Sequence, residues 1–553
     1  MRLFKTSDVR ESVSLDGFWD FITVSGKEAD ATEAVLEAKT WDHMCVPLCW
    51  NCVPEYFKYE GVAWYKTEFV SKSEFYEIVF EDIQIYAEIF LDGQKVKQHY
   101  GGFLPIYVYG TGKGKHTLTV RVDNTHNDVN TIPLSRVDWF HYGGISGSVT
   151  LTCFDGAFIK NHRISYELKN NTASCVAEFM IEGTYNGDCE IFADNVLVHK
   201  MHAQTGINVA EFPLDEIERW DVDNPRLYHI QIKIECDDII ERIGFRTIEV
   251  KDNQILLNES PITIKGVNRH NEHPDFGFSL PFSVIKRDVD IIKNMGCNFI
   301  RGSHYPNPHE LLDYLDQTGI LFWEEIPMWG YGEAALSDAL TRKRGLLMHQ
   351  EMIERDFHHP SIVFWGLHNE IATDTKAGYD ITKCFYDHVK KLDNSRPITF
   401  ATCRIDTDTA LEFADIIAMN IYPGWYGGHN SAAECEDVAD RIINHVKATG
   451  NENKPILISE FGSGGIYGES SFYDAKWTEE YQCEVLENTI AGFMKYKEIN
   501  GVIIWQYCDM RSSFELELTR PRSFNNKGMV DEYRRPKSVY FTVKKLFNNI
   551  NTK

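Results

Sequence analysis

From about Lys251 onward, short apolar runs alternate with helical stretches, and that alternation leaves few folds open. Eight candidate strands can be read: Ile262–Val267, Asn298–His304, Ile320–Glu324, Ile362–Leu367, Ile398–Ala401, Ile416–Ile421, Ile456–Glu460 and Val502–Tyr507. Strands that are apolar throughout are those of a parallel sheet covered on both faces. Between them lie amphipathic pieces such as Phe282–Met295 and Pro308–Gln317. Eight βα units in about 300 residues are enough to close a (β/α)8 barrel.

The first half has a different period. Val62–Val70, Glu77–Phe80, Ile85–Leu91 and His116–Val122 largely alternate apolar and polar residues, with Gly, Asp and Asn between them. That is the pattern of a β-sandwich or jelly roll. A second β group includes Val176–Ile181, Asp188–Phe192, Leu227–Ile234 and Gly244–Val250, the size of an immunoglobulin-like sandwich. The expected division is residues 1–156 as a jelly-roll sandwich, 157–250 as an immunoglobulin-like sandwich and 251–553 as the barrel.

Two of the barrel strands deliver a carboxylate. Glu370 follows Ser361-Ile-Val-Phe-Trp-Gly-Leu-His-Asn369, and Glu460 ends Pro455-Ile-Leu-Ile-Ser459. Barrel chemistry sits at the C-terminal ends of strands. Two carboxylates presented there are what glycoside hydrolysis requires, one as acid/base and one as nucleophile.

The chain carries 56 basic and 82 acidic residues, a net charge of −26. Counterion-driven binding to nucleic acid or an anionic membrane needs a basic patch, so neither is an expected partner. An anionic small substrate stays open, because a pocket can oppose the global sign. The N-terminus shows no apolar stretch of the secretory kind, and no run approaches a membrane span. The thirteen cysteines are scattered and read as reduced thiols, Cys297 and Cys508 inside apolar segments. A bacterial cytoplasmic enzyme is the expectation.

Gly266-Val-Asn268-Arg269-His270, Arg301-Gly-Ser-His304-Tyr-Pro306, His359–Glu370 and Ser459-Glu460-Phe-Gly462 resemble the ordered motifs of glycoside hydrolase family 2. The two β domains resemble its usual N-terminal architecture, so the resemblance covers essentially the whole chain. It implies a retaining mechanism: Glu460 attacks the anomeric carbon and Glu370 serves as acid, then base. It implies that the Glu460 anion raises the pKa of Glu370 by like-charge repulsion. Asn369 is placed to bind the sugar 2-hydroxyl, and His270 and His304 to donate hydrogen bonds to sugar hydroxyls.

Within the family, Asn525-Asn526-Lys527-Gly528 resembles the Asn-x-Lys-Gly motif of β-glucuronidases, in which Asn and Lys bind the sugar carboxylate. Asn420-Ile-Tyr422-Pro-Gly-Trp425-Tyr426, Lys476–Gln482, Trp505 and Arg534–Ser538 resemble the same subgroup. Asp138, in Asp138-Trp-Phe-His-Tyr-Gly-Gly-Ile145, resembles the loop residue sent into the active site from the first sandwich. Arg520 and Arg522 flank the Asn-x-Lys loop without aligning with the subgroup's upstream arginine, so neither is assigned to the carboxylate.

The implied substrates are β-glucuronide small molecules or glucuronate-terminated oligosaccharides, turned over by a homo-oligomer, dimer or tetramer, of the gut-bacterial kind. A β-galacturonidase, a β-galactosidase and a non-catalytic carbohydrate-binding protein are the alternatives. No cofactor and no metal are expected; Glu324-Glu325 with a nearby histidine lacks a tight ligand spacing. The segment Glu325–Ala335 runs within a few residues to a helix starting near Asp338, shorter than the loop that covers the aglycone in some glucuronidases. An open mouth is expected, with Trp329 and Tyr331 touching the aglycone.

Overall fold

The computed structural model describes residues 2–24, 39–427, 432–473, 475–513, 516 and 519–550. Its C-terminal half is a closed barrel of eight parallel strands. They are β1 (Ile264–Asn268), β2 (Phe299–Gly302), β3 (Leu321–Glu325), β4 (Ile362–Asn369), β5 (Ile398–Thr402), β6 (Ile416–Asn420), β7 (Ile456–Glu460) and β8 (Ile499–Ile504). All eight candidate runs form strands. The last is displaced: β8 starts at Ile499 and ends before Trp505.

Helices pack around the barrel: α1 (Phe282–Asn294), α2 (His309–Thr318), α3 (Ala339–Asp356), α4 (Lys376–Leu392), α5 (Ala432–Ala448), α6 (Glu479–Phe493) and α7 (Ser538–Asn549). Between β5 and β6 the described residues hold only the 3-10 turn Leu411–Phe413, so that crossover departs from the regular βα unit. The start of α3 is fixed by Asp338, whose carboxylate accepts from the backbone N–H groups of Leu340 and Thr341. The lower barrel interior is filled by Phe299, Trp323, Phe364, Leu457 and Ile503, with Ile248, Ile255 and Leu257 of a small three-stranded sheet packed beneath.

The N-terminal region is a sandwich of a four-stranded and a six-stranded sheet. Its core takes the inward residues of both sheets, among them Trp19, Phe21, Tyr65, Ile78, Ile89 and Val120. The next region is a five-stranded antiparallel sheet built on the long strand Thr172–Ala193, which curls around its own core of Phe179, Ile191, Phe212 and Ile232. The second β region docks on the barrel through buried arginines. Arg246 donates to the carbonyls of Pro360 and Ile362, and Arg242 to that of Asp313.

All thirteen cysteines are free. One C-x-x-C spacing, Cys49-Trp50-Asn51-Cys52, exists and is passed over when the cysteines are read as merely scattered. It lies on a 3-10 turn of the first sandwich. Among the described residues, no helix is long and apolar enough to cross a membrane.

Candidate active site

Glu370 and Glu460 face one cleft of about 570 Å³, with Asp138, Trp329, Tyr422, Tyr426, Trp505 and Arg520 on its walls. Glu460 is the last residue of β7. Glu370 stands one residue past β4 with φ 53°, a left-handed conformation rare outside glycine and common where a functional side chain must be turned out of a strand.

Glu460 is held on both oxygens. Arg301 Nη1 donates to Oε1 at 2.7 Å and the Tyr422 hydroxyl donates to Oε2 at 2.7 Å. Arg301 is itself fully buried, with Nη2 also donating to Asn369 Oδ1 at 2.8 Å and the guanidinium forked onto Glu325 at 2.8 and 3.0 Å. Burial raises the Glu460 pKa, and Arg301 with the Tyr422 hydrogen bond opposes that rise.

Asn420 joins the two carboxylates' surroundings. Its Nδ2 donates to Glu370 Oε1 at 2.9 Å and to Asn369 Oδ1 at 3.0 Å, while its Oδ1 accepts from Ser459 at 2.7 Å. The Asn369 oxygen is thereby fully used, and its buried Nδ2 has no protein partner, a donor left over near the acid. The Glu370 pKa is raised to about 7. Desolvation is the larger cause and the Glu460 charge the second, so the like-charge reading captures the lesser contribution.

His270, His304 and Trp505 form an aromatic corner. The His304 ring stacks on Trp505 at 5.1 Å, with Trp139 of the first sandwich 5.6 Å from both histidines. Burial pushes both histidine pKa values well down, so both rings are neutral. Tyr305 Oη accepts from Asn271 N–H and lies 3.1 Å from His270 Nδ1. His270 Nε2 is buried without a protein partner. The His304 Nδ1 lies 2.6 Å from Glu325 Oε1 and 3.3 Å from Arg301 Nη2. The His304 Nε2 is buried without a protein partner.

At the other end of the cleft, Lys527 is fully buried among the rings of Tyr422, Trp425 and Tyr426 at 5.0–5.6 Å, and donates to the Tyr426 hydroxyl at 2.9 Å. Burial lowers its pKa. Asn525 does not stand free beside it: Nδ2 donates to Asp138 Oδ2 at 2.6 Å. Asp138 in turn is forked by Arg520 at 2.7 and 2.8 Å. Arg520 therefore belongs to the cleft, although sequence order leaves it unassigned. Arg522 turns away to Glu532 and Asn526.

Three further residues alter the sequence reading. Arg301 and Glu325 lie at the centre of the polar network but were not singled out; the signal was two charged residues inside apolar runs that end strands. Tyr331, expected to touch the aglycone, is 1 % exposed and donates to the carbonyl of Thr131. The short loop turns its ring into the core, and Trp329 alone of the pair lines the cleft.

Among the described residues, three groups bring enough histidine and acid atoms together to hold a metal: His162–Glu241–His358, His309–Asp356–His359 and Asp313–Asp316–His359. None includes a cleft residue, and arginines already occupy their acids, Arg2 on Glu241 and Asp313 and Arg355 on Asp356. Glu324 and Glu325 belong to none of them.

The family profile described as glycosyl hydrolases family 2, TIM barrel domain, matches residues 248–552. A β-glucuronidase of Streptococcus agalactiae is 27% identical, covering 98% of this chain and 97% of its own. The crystal structure of a family 2 β-galacturonidase from Eisenbergiella tayi bound to galacturonate is 33% identical with a TM-score of 0.91, covering 100% of this chain and 99% of its own. That of a Ruminococcus gnavus β-glucuronidase in complex with uronic isofagomine is 25% identical with a TM-score of 0.89, covering 100% and 99%.

Proposed function

The chain belongs to glycoside hydrolase family 2, and from that premise we propose that it is a retaining exo-glycosidase releasing terminal β-linked hexuronic acids, β-D-glucuronate foremost. The observation that carries the uronate reading is Lys527. A fully buried ammonium whose hydrogen-bond partner is a neutral phenol lacks the compensation that buried charges require. The neighbouring acid, Asp138, is already neutralised by Arg520. A substrate carboxylate would supply the missing charge.

In this reading Glu460, kept ionised by Arg301 and the Tyr422 hydroxyl, attacks the anomeric carbon and displaces the aglycone. Glu370, with a pKa of about 7, holds the proton that the leaving oxygen takes. Once Glu460 is esterified its charge is gone, Glu370 becomes more acidic, and it can deprotonate the water that frees the sugar. Asn369 Nδ2, buried without a protein partner, is the donor this reading gives to the sugar 2-hydroxyl oxygen.

A β-galacturonidase is the second reading, supported by the similarity to the E. tayi enzyme over the whole chain. Both acids share the carboxylate and differ at one stereocentre. Comparing kcat/KM on aryl β-glucuronide, β-galacturonide and β-galactoside tests the proposal. Both uronides should exceed the galactoside, and the glucuronide should lead. A galactoside preference would overturn the uronate reading.

A further inference from the structure

Glu325 ends β3, is fully buried, and has no part in the double displacement. Its Oε1 accepts from Arg301 Nη2 at 2.8 Å and its Oε2 from Arg301 Nε at 3.0 Å. The same Oε1 lies 2.6 Å from His304 Nδ1. Room for this carboxylate is built into the neighbouring strand. A Cβ at Gly366 would stand 2.5 Å from Glu325 Cβ and 2.2 Å from Trp323 Nε1.

A carboxylate oxygen and a ring nitrogen at 2.6 Å share a proton, since two lone pairs at that distance repel. The Arg301 fork opposes the rise that burial gives the Glu325 pKa, and the 2.6 Å carboxylate contact is shorter than the 3.3 Å from Arg301 Nη2 to the same nitrogen, so the proton sits on Nδ1 of a neutral imidazole. Nε2 is then left as a bare acceptor. It is buried without a protein partner, 3.9 Å from Glu460 Oε1, and stacking on Trp505 keeps the ring from turning. A buried acceptor of this kind beside a nucleophile calls for a donor from the ligand.

Resting on the proposed reading of this cleft as a subsite that holds a sugar over Glu460, we propose that Glu325 is a positioning residue for substrate recognition. By locking the Nδ1–H tautomer of His304, it dedicates Nε2 to accepting a hydrogen bond from one sugar hydroxyl. Two acceptors, His304 Nε2 and Glu460 Oε1, meet there, so the group at that position must bring its own proton. An ether oxygen cannot. Terminal sugars methylated at that hydroxyl are therefore excluded by electrostatics as well as by size. His270, 5.4 Å away, has its own buried Nε2 without a protein partner.

Two measurements test this. The first is the ¹⁵N spectrum of histidine-labelled enzyme without substrate, with the His304 signals assigned by His304→Gln. Nε2 should be of the unprotonated type in wild type and of the protonated type in Glu325→Gln, whose amide donates to Nδ1. A protonated Nε2 in the wild type, or an unchanged spectrum in the variant, overturns the proposal. The wild-type spectrum decides even if the variant does not fold, and it needs no turnover, so it stands apart from the identity of the substrate. The second is kcat/KM on a panel of monodeoxy aryl glycosides of whichever sugar the enzyme accepts. In wild type, one deoxy position should cost roughly tenfold, the order of a single hydrogen bond. In Glu325→Gln, where Nε2–H can only donate to that hydroxyl, the penalty at that one position should change several-fold while the penalties at the other positions persist. Equal penalties in both proteins at every position would reduce Glu325 to a structural support and overturn the proposal.

Discussion

The two ends of the cleft solve opposite electrostatic problems. At the nucleophile end, Arg301 is compensated by Glu325 and Glu460, and a continuous hydrogen-bonded chain runs from Glu325 through Arg301, Asn369 and Asn420 to Glu370. At the far end, Arg520 is neutralised by Asp138, and Lys527 is left with a phenol. The first end is preorganised for charge that develops during reaction. The second leaves Lys527 against a phenol, and in the proposed reading a substrate carboxylate completes it. Chemistry and specificity are therefore separable by mutation.

The largest effect should come from the chemical end. Glu460→Ala should lower kcat by about four orders of magnitude or more on every glycoside, as loss of a nucleophile does. Retention of most activity would reassign the nucleophile. Glu370→Ala should cost about 10²–10⁴-fold on substrates with poor leaving groups, the usual worth of general acid–base catalysis. It should cost much less on activated aryl substrates. Azide should restore turnover through an adduct of retained configuration, and an inverted adduct would contradict the double displacement.

Changes at the far end should sort substrates instead. Lys527→Ala removes a charge-assisted hydrogen bond of about 1.5–3 kcal/mol, roughly 10–150-fold in kcat/KM on a uronide, with little change on the matching neutral sugar. Equal losses on both would place Lys527 in the framework of the site.

A finer test separates the two causes of the Glu370 shift. The acid must be protonated to act and its pKa is about 7, so kcat/KM should fall as pH rises through that value. In Glu460→Gln the neighbouring charge is gone and the Glu370 titration, followed by ¹³C NMR, should move down. The move should be partial, because burial, the larger cause, persists. A return to the ordinary carboxylate range would make Glu460 the dominant cause. The smallest effect concerns the mouth, where Trp329→Ala should change kcat/KM only a few-fold on small aryl substrates, of the order of one lost packing contact. A large loss there would mean that Trp329 acts on the chemistry.

Much of this was legible in the chain. The eight barrel strands show because burial on both faces writes them as unbroken apolar runs, and Glu370 and Glu460 stand out as charges at their ends. Three things were not legible. The crossover between β5 and β6 lacks a full helix, which periodicity over a short loop does not reveal. Tyr331 points inward because of the path of its loop, which no residue pattern encodes. Arg520 enters the cleft by pairing with Asp138, 382 positions earlier, and partners that distant leave no local signal.

That pairing also bears on modularity. Asp138 comes from the first sandwich, while Arg520, Asn525 and Lys527 come from the far end of the barrel region. The wall proposed to read the sugar carboxylate thus joins residues from both ends of the chain, and a barrel excised with both glutamates intact would carry two cations, Arg520 and Lys527, where the full chain balances one of them. Transplanting this specificity onto another barrel of the family would require grafting a loop of its N-terminal neighbour as well.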